Sequence, residues 1–469
     1  VPFLDRLARW AAERPGEAAV ACAGEALTWA GLREAAAALA ASGEPTGILR
    51  RPNGTDLAVR WAAGVAEERA CAVLDPSWPP EQAAAVLRRC APLLPAAPAP
   101  ARLRDGDPAS TFLVGLTSGT TSTPKGFARS RGSWQRSFAA SAACFELGPG
   151  ERVLAPGPLS TSLNLYALSE CLWAGAAFTT LPRFDVAAAH ALVAGGGTTR
   201  LVVVPTMLRV LAERGLAVGA GAHGLTAIVC AGQPLDPATL AAARRWAPDA
   251  VIWEYYGAAE LGFVAARRHD PGEPLEPGDT SVGAAFPGVE LAVLDDTGRP
   301  VPEGRPGTIG VRSPFVCDGY LWGDDGLALT RLGGTTTVGD RGFLRGGRLH
   351  VLGRAAEMIV TGGHNLYPHE VEAALTAVPG VAAAVVVGLP DRTRGQRVVA
   401  GVLPAPDDDG ARLDRTRLHA GLAGRLAPAK LPHRYVRLTE LPLTAGGKIS
   451  RRLLRERLLE GDPRARPLG

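Results

Sequence analysis

The apolar positions change their period several times along the chain. Residues 3–14 place Leu4, Leu7 and Ala11 on one face, and Pro15-Gly16 closes the run, which predicts a helix. A second helix is predicted over 30–41, with Thr28 as N-cap and Gly43 as C-cap. Short apolar runs at 70–74 and 112–115 read as strands, and the Pro- and Ala-rich residues 92–108 as an exposed connection between them. A helix follows over 133–145, then strands at 152–155, 201–204 and 227–230. The last two are continuously apolar and run into the turns Pro205-Thr206 and Ala231-Gly232-Gln233-Pro234. In an open α/β sheet ligands collect at the carboxyl ends of strands, so these turns are expected to point at one site.

From 281 to 316 the texture changes to short strands and turns, a β-rich lobe. It changes again near Gly353. An amphipathic helix over 370–378, a strand over 381–387 and a basic tail suit a small α+β domain. The expected organisation is a large α/β domain over 1–353, with α/β sheets and the β-rich lobe as subdomains, and a small mobile α+β domain over 354–469.

Composition narrows the classes. The chain has 469 residues, 46% hydrophobic and 20% charged, so two or three globular domains are expected. No apolar run reaches the roughly 18 residues of a membrane span, and residues 1–16 lack a signal-peptide core, so the expectation is a cytoplasmic protein without integral membrane contact. A net charge of +4 gives no argument for nucleic acid. Seven scattered cysteines, with no CxxC or Cys/His pair, argue against a disulfide framework and a zinc site.

The richest chemistry lies in TSGTTSTPKG, residues 117–126. Thr117, Ser118, Thr120 and Thr121 carry hydroxyls, Gly119 lets backbone amides converge, and Lys125 adds a positive charge; together they suit a polyphosphate. The alternative is an ordinary polar surface loop. The spacing is not that of a Walker A loop. WEYYGAAELGF, residues 253–263, sets aromatic rings, Gly257 and Glu260 where a base could stack and a carboxylate could hold a divalent cation, or it is a core strand leading into a helix. Asp340, after Gly339, could accept from vicinal hydroxyls or be a turn aspartate; Arg354 could reach a phosphate or lie on the surface. Lys448 follows two glycines on a turn, where it could meet developing negative charge or belong to a solvated basic tail.

In this order and spacing the segments resemble those of the adenylate-forming (ANL) superfamily, which includes stand-alone acyl- and aryl-CoA synthetases, over nearly the whole chain. The resemblance implies ATP-dependent activation of a carboxylic acid to acyl-AMP and transfer to CoA, with Mg2+ as cofactor. Thr117 to Thr121 and Lys125 would form the phosphate loop, Gly232 and Gln233 would flank the adenine, Tyr256 would stack on it beside Gly257, and Glu260 would orient the metal. Asp340 and Arg354 would hold ribose and phosphate, and Lys448 would be the catalytic lysine. Gly362, Gly363 and His364 resemble the segment that lines the pantetheine tunnel. Three positions depart from the family pattern: Ser122 for Gly, Ala259 for Thr or Ser, and Ala356 at the usual hinge Asp or Lys.

The acid pocket is expected around Thr161, Ser162, Leu165, Met207 and Phe263. Relatives that activate amino acids tend to carry an Asp near Ser162, so an α-amino acid is disfavoured. A carrier protein or an amine is the alternative acyl acceptor. The reading from another class is a degenerate, non-catalytic nucleotide- or acyl-binding protein.

Overall fold

The computed structural model describes residues 3–468, apart from 95–101, 118–123, 274–280, 325, 327, 363, 406–412 and the side chains of 356 and 365. Its chain divides into two compact units. One comprises Val1–Pro300, Gly310–Val338 and Gly346–Leu349; the other Val301–Ile309, Gly339–Arg345 and His350–Gly469.

The first unit is built on a sheet with six parallel strands at its heart. Val251–Ala258, Ala227–Ala231, Arg200–Val203, Arg152–Leu154, Ala177–Thr180 and Ala18–Cys22 lie side by side in that order. Antiparallel strands extend both ends: Gly262–His269 and Ser281–Ala285 beyond one, Glu25–Thr28 beyond the other. Each connection between successive parallel strands from Arg152 to Ala258 carries a helix. Helices therefore cover the sheet, which is why Arg200–Val203 and Ala227–Ala231 are buried along their length and read as unbroken apolar runs. A second, three-stranded antiparallel sheet joins Thr111–Thr117, Lys125–Ser130 and Gly319–Trp322.

Local signals mark the element ends well. The second predicted helix spans Trp29–Ser42; the Thr28 hydroxyl accepts from Gly31 N at 3.1 Å, and Gly43 sits at φ 74°. The strand expected over 70–74 shortens to Ala72–Val73. The acid-pocket segment around Thr161 and Ser162 leads into a helix, Ser162–Ala174, capped by Gly175 at φ 81°. Residues 281–316 contain strands and no helix among the described residues. Among the described residues no helix is long and apolar enough to cross a membrane. The seven cysteines are unpaired thiols, six of them buried.

In the second unit a long hairpin, Val381–Asp391 against Gly395–Pro404, pairs in parallel with Arg434–Leu438. Its side chains alternate between two cores. Val386, Val398 and Ala400 pack with Val371 and Leu375 of the helix Pro368–Thr376, whereas Val385, Val387 and Val399 pack with Leu454 of the helix Arg451–Glu460. The two helices are also tied electrostatically. Arg451 donates to Glu372 and to Glu357, each at 2.7 Å, and His369 lies 3.0 Å from Glu372. Burial alone would raise the Glu372 carboxyl, but Arg451, His369 and the Val386 amide outweigh it and hold it at about 2.

Because the folded value lies below the ordinary 4.5, this carboxylate stabilises the second unit above that pH and loses its contribution as pH falls towards 2. The contribution is roughly 3 kcal/mol. Arg451→Ala strands the buried carboxylate and should cost about 3 kcal/mol or more. Amide exchange along Val381–Asp391 is the readout; unchanged protection in the variant at pH 7 would contradict the role.

Candidate active site

The hairpin Thr111–Thr117/Lys125–Ser130 frames the site in the first unit. Thr117 is the register partner of Lys125, so the chain leaves and re-enters the sheet side by side around residues 118–123. Ser118, Gly119, Thr120 and Thr121 of the expected phosphate loop lie outside the described residues. Glycines on the hairpin let aromatic rings close over it: a Cβ on Gly115 would stand 2.1 Å from the Phe127 ring, and one on Gly126 2.3 Å from that of Trp322. The Trp322 indole N–H also donates to Pro124 O at 2.9 Å.

Glu260 is brought to the mouth of this hairpin. Only 5% of it is exposed, and the Tyr320 hydroxyl donates to its carboxylate. The same phenol is hydrogen-bonded to the Thr117 side chain, and the Lys125 ammonium lies 5.9 Å from its ring centre. Burial, then the Glu260 charge, pushes the Tyr320 phenol far up, so it stays a donor at neutral pH. Thr117 and Lys125 of the hairpin and Glu260, distant from them in sequence, are thus gathered around one tyrosine.

The backbone under Glu260 is clamped from below. Arg129, 2% exposed, donates to Ala259 O, to Glu260 O at 3.2 Å and to Phe315 O at 2.6 Å, while Cys317 N donates to Glu260 O at 2.7 Å. Desolvation lowers the pKa of this guanidinium, and the charges of Asp318 and Glu260 oppose that. Residues 253–263 do not run into a helix. The strand Val251–Ala258 turns back as Gly262–His269, with an irregularity at Tyr256/Gly257. Gly257 is required there: a Cβ would meet Gly262 O at 2.4 Å. Tyr256 is half-buried one position before it, and Gly232 and Gln233 follow Ala227–Ala231, Gly232 at φ 91°.

One helix face builds a cavity beside these strands. Leu163, Tyr166, Ala167, Glu170 and Cys171 of Ser162–Ala174 face Arg200, Val202, Val229, Tyr255 and Phe263 of the sheet, enclosing about 20 Å3, room for roughly one water. Phe263 sits centrally, 4.7 Å from the Tyr255 ring centre and 5.2 Å from that of Tyr166. Of the expected acid-pocket residues only Phe263 lines it. Thr161 precedes the helix and donates to Pro158 O at 2.8 Å, Ser162 begins it, Leu165 is buried on another face, and Met207 packs in the core between neighbouring helices.

The remaining expected residues belong to the second unit. Asp340 follows Gly339 (φ 78°) and pairs with Arg354 Nε at 3.4 Å. Lys448 is exposed on a tight turn in which its amide and carbonyl both bond to Thr444. Gly362 and His364 are exposed at the tip of the hairpin Ile359–Thr361/His364–Leu366, and Gly363 lies outside the described residues. Sequence reasoning missed Tyr320, Arg129 and Glu170. The signals were faint: Tyr320 follows a glycine in an unremarkable segment, Arg129 reads as a surface cation, and Glu170 as the polar face of a helix.

Comparison with known proteins gives this geometry a family. The model for AMP-binding enzymes matches residues 71–321, and that for the AMP-binding enzyme C-terminal domain matches 370–448. The chain is 33% identical over 359 residues to the uncharacterized acyl–CoA ligase YhfT of Bacillus subtilis, covering 76% of this chain and 70% of that protein. It is 34% identical over 347 residues to an indoleacetate–CoA ligase of Aromatoleum aromaticum, covering 73% and 66%. Among solved structures it resembles the anthranilate CoA ligase AuaEII in complex with anthranoyl-AMP in fold (TM-score 0.85, 21% identity, 98% of each chain). It also resembles the amide bond synthetase McbA of Marinactinospora thermotolerans (TM-score 0.76, 28% identity, 96% of this chain and 99% of that one). The chain therefore belongs to the AMP-binding enzyme family, the adenylate-forming superfamily to which acid–CoA ligases belong.

Proposed function

We propose that this chain activates a carboxylic acid with ATP and passes the acyl group to coenzyme A. Family membership supports the reaction class, and the gathering of Thr117, Lys125 and Glu260 around Tyr320 is the observation that carries its location. In the first half-reaction a carboxylate oxygen attacks the α-phosphorus of ATP, the bond to the bridging oxygen breaks, and pyrophosphate leaves. In the second, the CoA sulfur bonds to the acyl carbon, the carbon–oxygen bond to AMP breaks, and the thiol proton passes to solvent.

The residues divide the work. Thr117, Ser118, Gly119, Thr120, Thr121 and Lys125 donate to the phosphates leaving as pyrophosphate. Gly232, Gln233, Tyr256 and Gly257 seat the adenine; Asp340 and Arg354 hold ribose and phosphate. Lys448 offsets charge that develops as the acid attacks. Gly362, Gly363 and His364 guide the CoA arm. Among the described residues no cluster of three or more His, Cys, Asp or Glu could hold a metal. A single carboxylate completed by phosphate oxygens and water is the ligand set Mg2+ prefers. Glu260, anchored by Tyr320, fits that role, and a bound cation there would neutralise the departing pyrophosphate.

The competing acceptor is an amine, favoured by the likeness to an amide bond synthetase. Purified protein given ATP, Mg2+ and an acid panel, with CoA or an amine in separate arms, decides between them by mass spectrometry of the products. Acyl-CoA and AMP are expected; pyrophosphate with amide only would overturn the second half-reaction.

Lys448→Ala should lower pyrophosphate release by about 100-fold or more; turnover equal to wild type would remove Lys448 from the mechanism. Tyr320→Phe frees Glu260 from its donor and should raise the KM for ATP·Mg2+ by about tenfold. An unchanged KM would show that the carboxylate needs no such anchor.

A further inference from the structure

Glu260 and Tyr320 meet side chain to side chain, but their backbones belong to separate segments. One guanidinium joins those segments. Arg129 Nη1 donates to Phe315 O at 2.6 Å and to Ser133 Oγ at 3.2 Å, while Nη2 donates to Ala259 O and, at 3.2 Å, to Glu260 O. Each end of the fork thus serves a different segment. Nη1 holds the one that leads to Tyr320, and Nη2 holds the turn that carries Glu260.

The strand places Arg129 for this. Side chains alternate along Lys125–Ser130, so Lys125, Phe127 and Arg129 share a face. Tyr320 is the antiparallel register partner of Phe127 and stands on that face too. The contacts agree. The Phe127 and Tyr320 rings meet edge to face with centres 6.3 Å apart, and the Arg129 guanidinium lies 5.7 Å from the Phe127 ring centre.

Other ties between the same segments do not need the fork. Cys317 N donates to Glu260 O at 2.7 Å, and Asp318 N to Ala128 O at 2.9 Å. What the fork adds is spacing. Its two nitrogens are rigidly linked, so the carbonyls they hold keep a fixed separation. A lysine would keep the charge, but its single ammonium cannot serve both segments in that way. Ala259 has no polar side chain to anchor the turn, which leaves that work to backbone bonds.

We propose that Arg129 is a positioning residue for nucleotide binding: it sets Tyr320 and Glu260 at bonding distance and so holds the carboxylate ready for a divalent cation that arrives with ATP. The inference rests on the ligase reading and adds to it a residue that touches neither nucleotide nor metal.

The test is calorimetric ATP binding by the full chain without any acid, in Mg2+ and in EDTA, for wild type, Arg129→Lys, Tyr320→Phe and the double variant. Arg129→Lys should weaken binding about tenfold in Mg2+ and by less than about twofold in EDTA. Both substitutions break one link, so the double variant should bind about as well as the weaker single one. Ser133→Ala takes one bond from the fork and leaves the charge in place. It should weaken binding in Mg2+ by about threefold, and it decides the matter if Arg129→Lys does not fold. A loss equal in Mg2+ and EDTA would make Arg129 a residue of the fold alone and overturn the proposal. So would a double variant weakened by the product of the single losses, or a Tyr320→Phe variant that binds like wild type. Wild-type affinity that is the same in Mg2+ and EDTA would defeat the placement of the cation at Glu260 and this inference with it. Acid-dependent pyrophosphate release by the same preparation reports on the ligase reading separately.

Discussion

A buried guanidinium sets the geometry on which the candidate site depends. Among the described residues Arg129 pairs with no carboxylate; it spends its donors on Ser133 Oγ, Ala259 O, Glu260 O and Phe315 O. Those carbonyls belong to two chain segments that would otherwise have to find water in a dry place. By taking them together Arg129 fixes the turn that carries Glu260, and Cys317 N adds a second bond to the same carbonyl. The cost of burying an unpaired cation is met by several charge-assisted bonds, so the clamp is stiff and cannot be loosened one bond at a time without stranding the charge. Tyr320, two residues after Asp318, then donates to the Glu260 carboxylate. Arg129 and Cys317 hold the backbone of the acid, and Tyr320 holds its side chain.

This arrangement explains why the hairpin is so crowded. Lys125–Ser130 is buried at every position. Rings of Phe127 and Trp322 lie where Cβ atoms on Gly115 and Gly126 would be, so the two glycines serve packing as much as chain flexibility. The result is a firmly packed frame on the two strands that flank residues 118–123. The second unit uses another device. Its long hairpin has a core on each face, and the Arg451–Glu372 pair fastens the helix that follows Lys448 to the helix that begins at Pro368. That pair gives the turn bearing Lys448 a fixed base.

The sequence revealed elements better than it revealed the residues that hold them. Strands such as Ala227–Ala231 were legible because a sheet covered on both faces demands unbroken apolar runs. Thr28 and Gly43 marked a helix because capping chemistry is local. The family motifs were legible because their order is distinctive. Arg129 and Arg131 were not: a charged pair after Phe127-Ala128 looks like a solvated edge, and only tertiary carbonyls, from Ala259 or Val65, explain its burial. The start of the helix at Ser162 was hidden by a Ser/Thr-rich approach that reads as a turn. It moved the cavity wall from Thr161, Ser162 and Leu165 to Leu163, Tyr166 and Glu170, one turn or less away. A helix face depends on where the helix begins, and local propensity does not fix that in a segment rich in hydroxyls.

The account stands or falls on whether this frame holds ATP so that an acid can displace pyrophosphate. The most direct measurement is the exchange of labelled pyrophosphate into ATP across a library of carboxylic acids. Exchange that requires both an acid and a divalent cation is the predicted result. Nucleotide binding with no exchange for any acid, in protein shown to be folded, would contradict it.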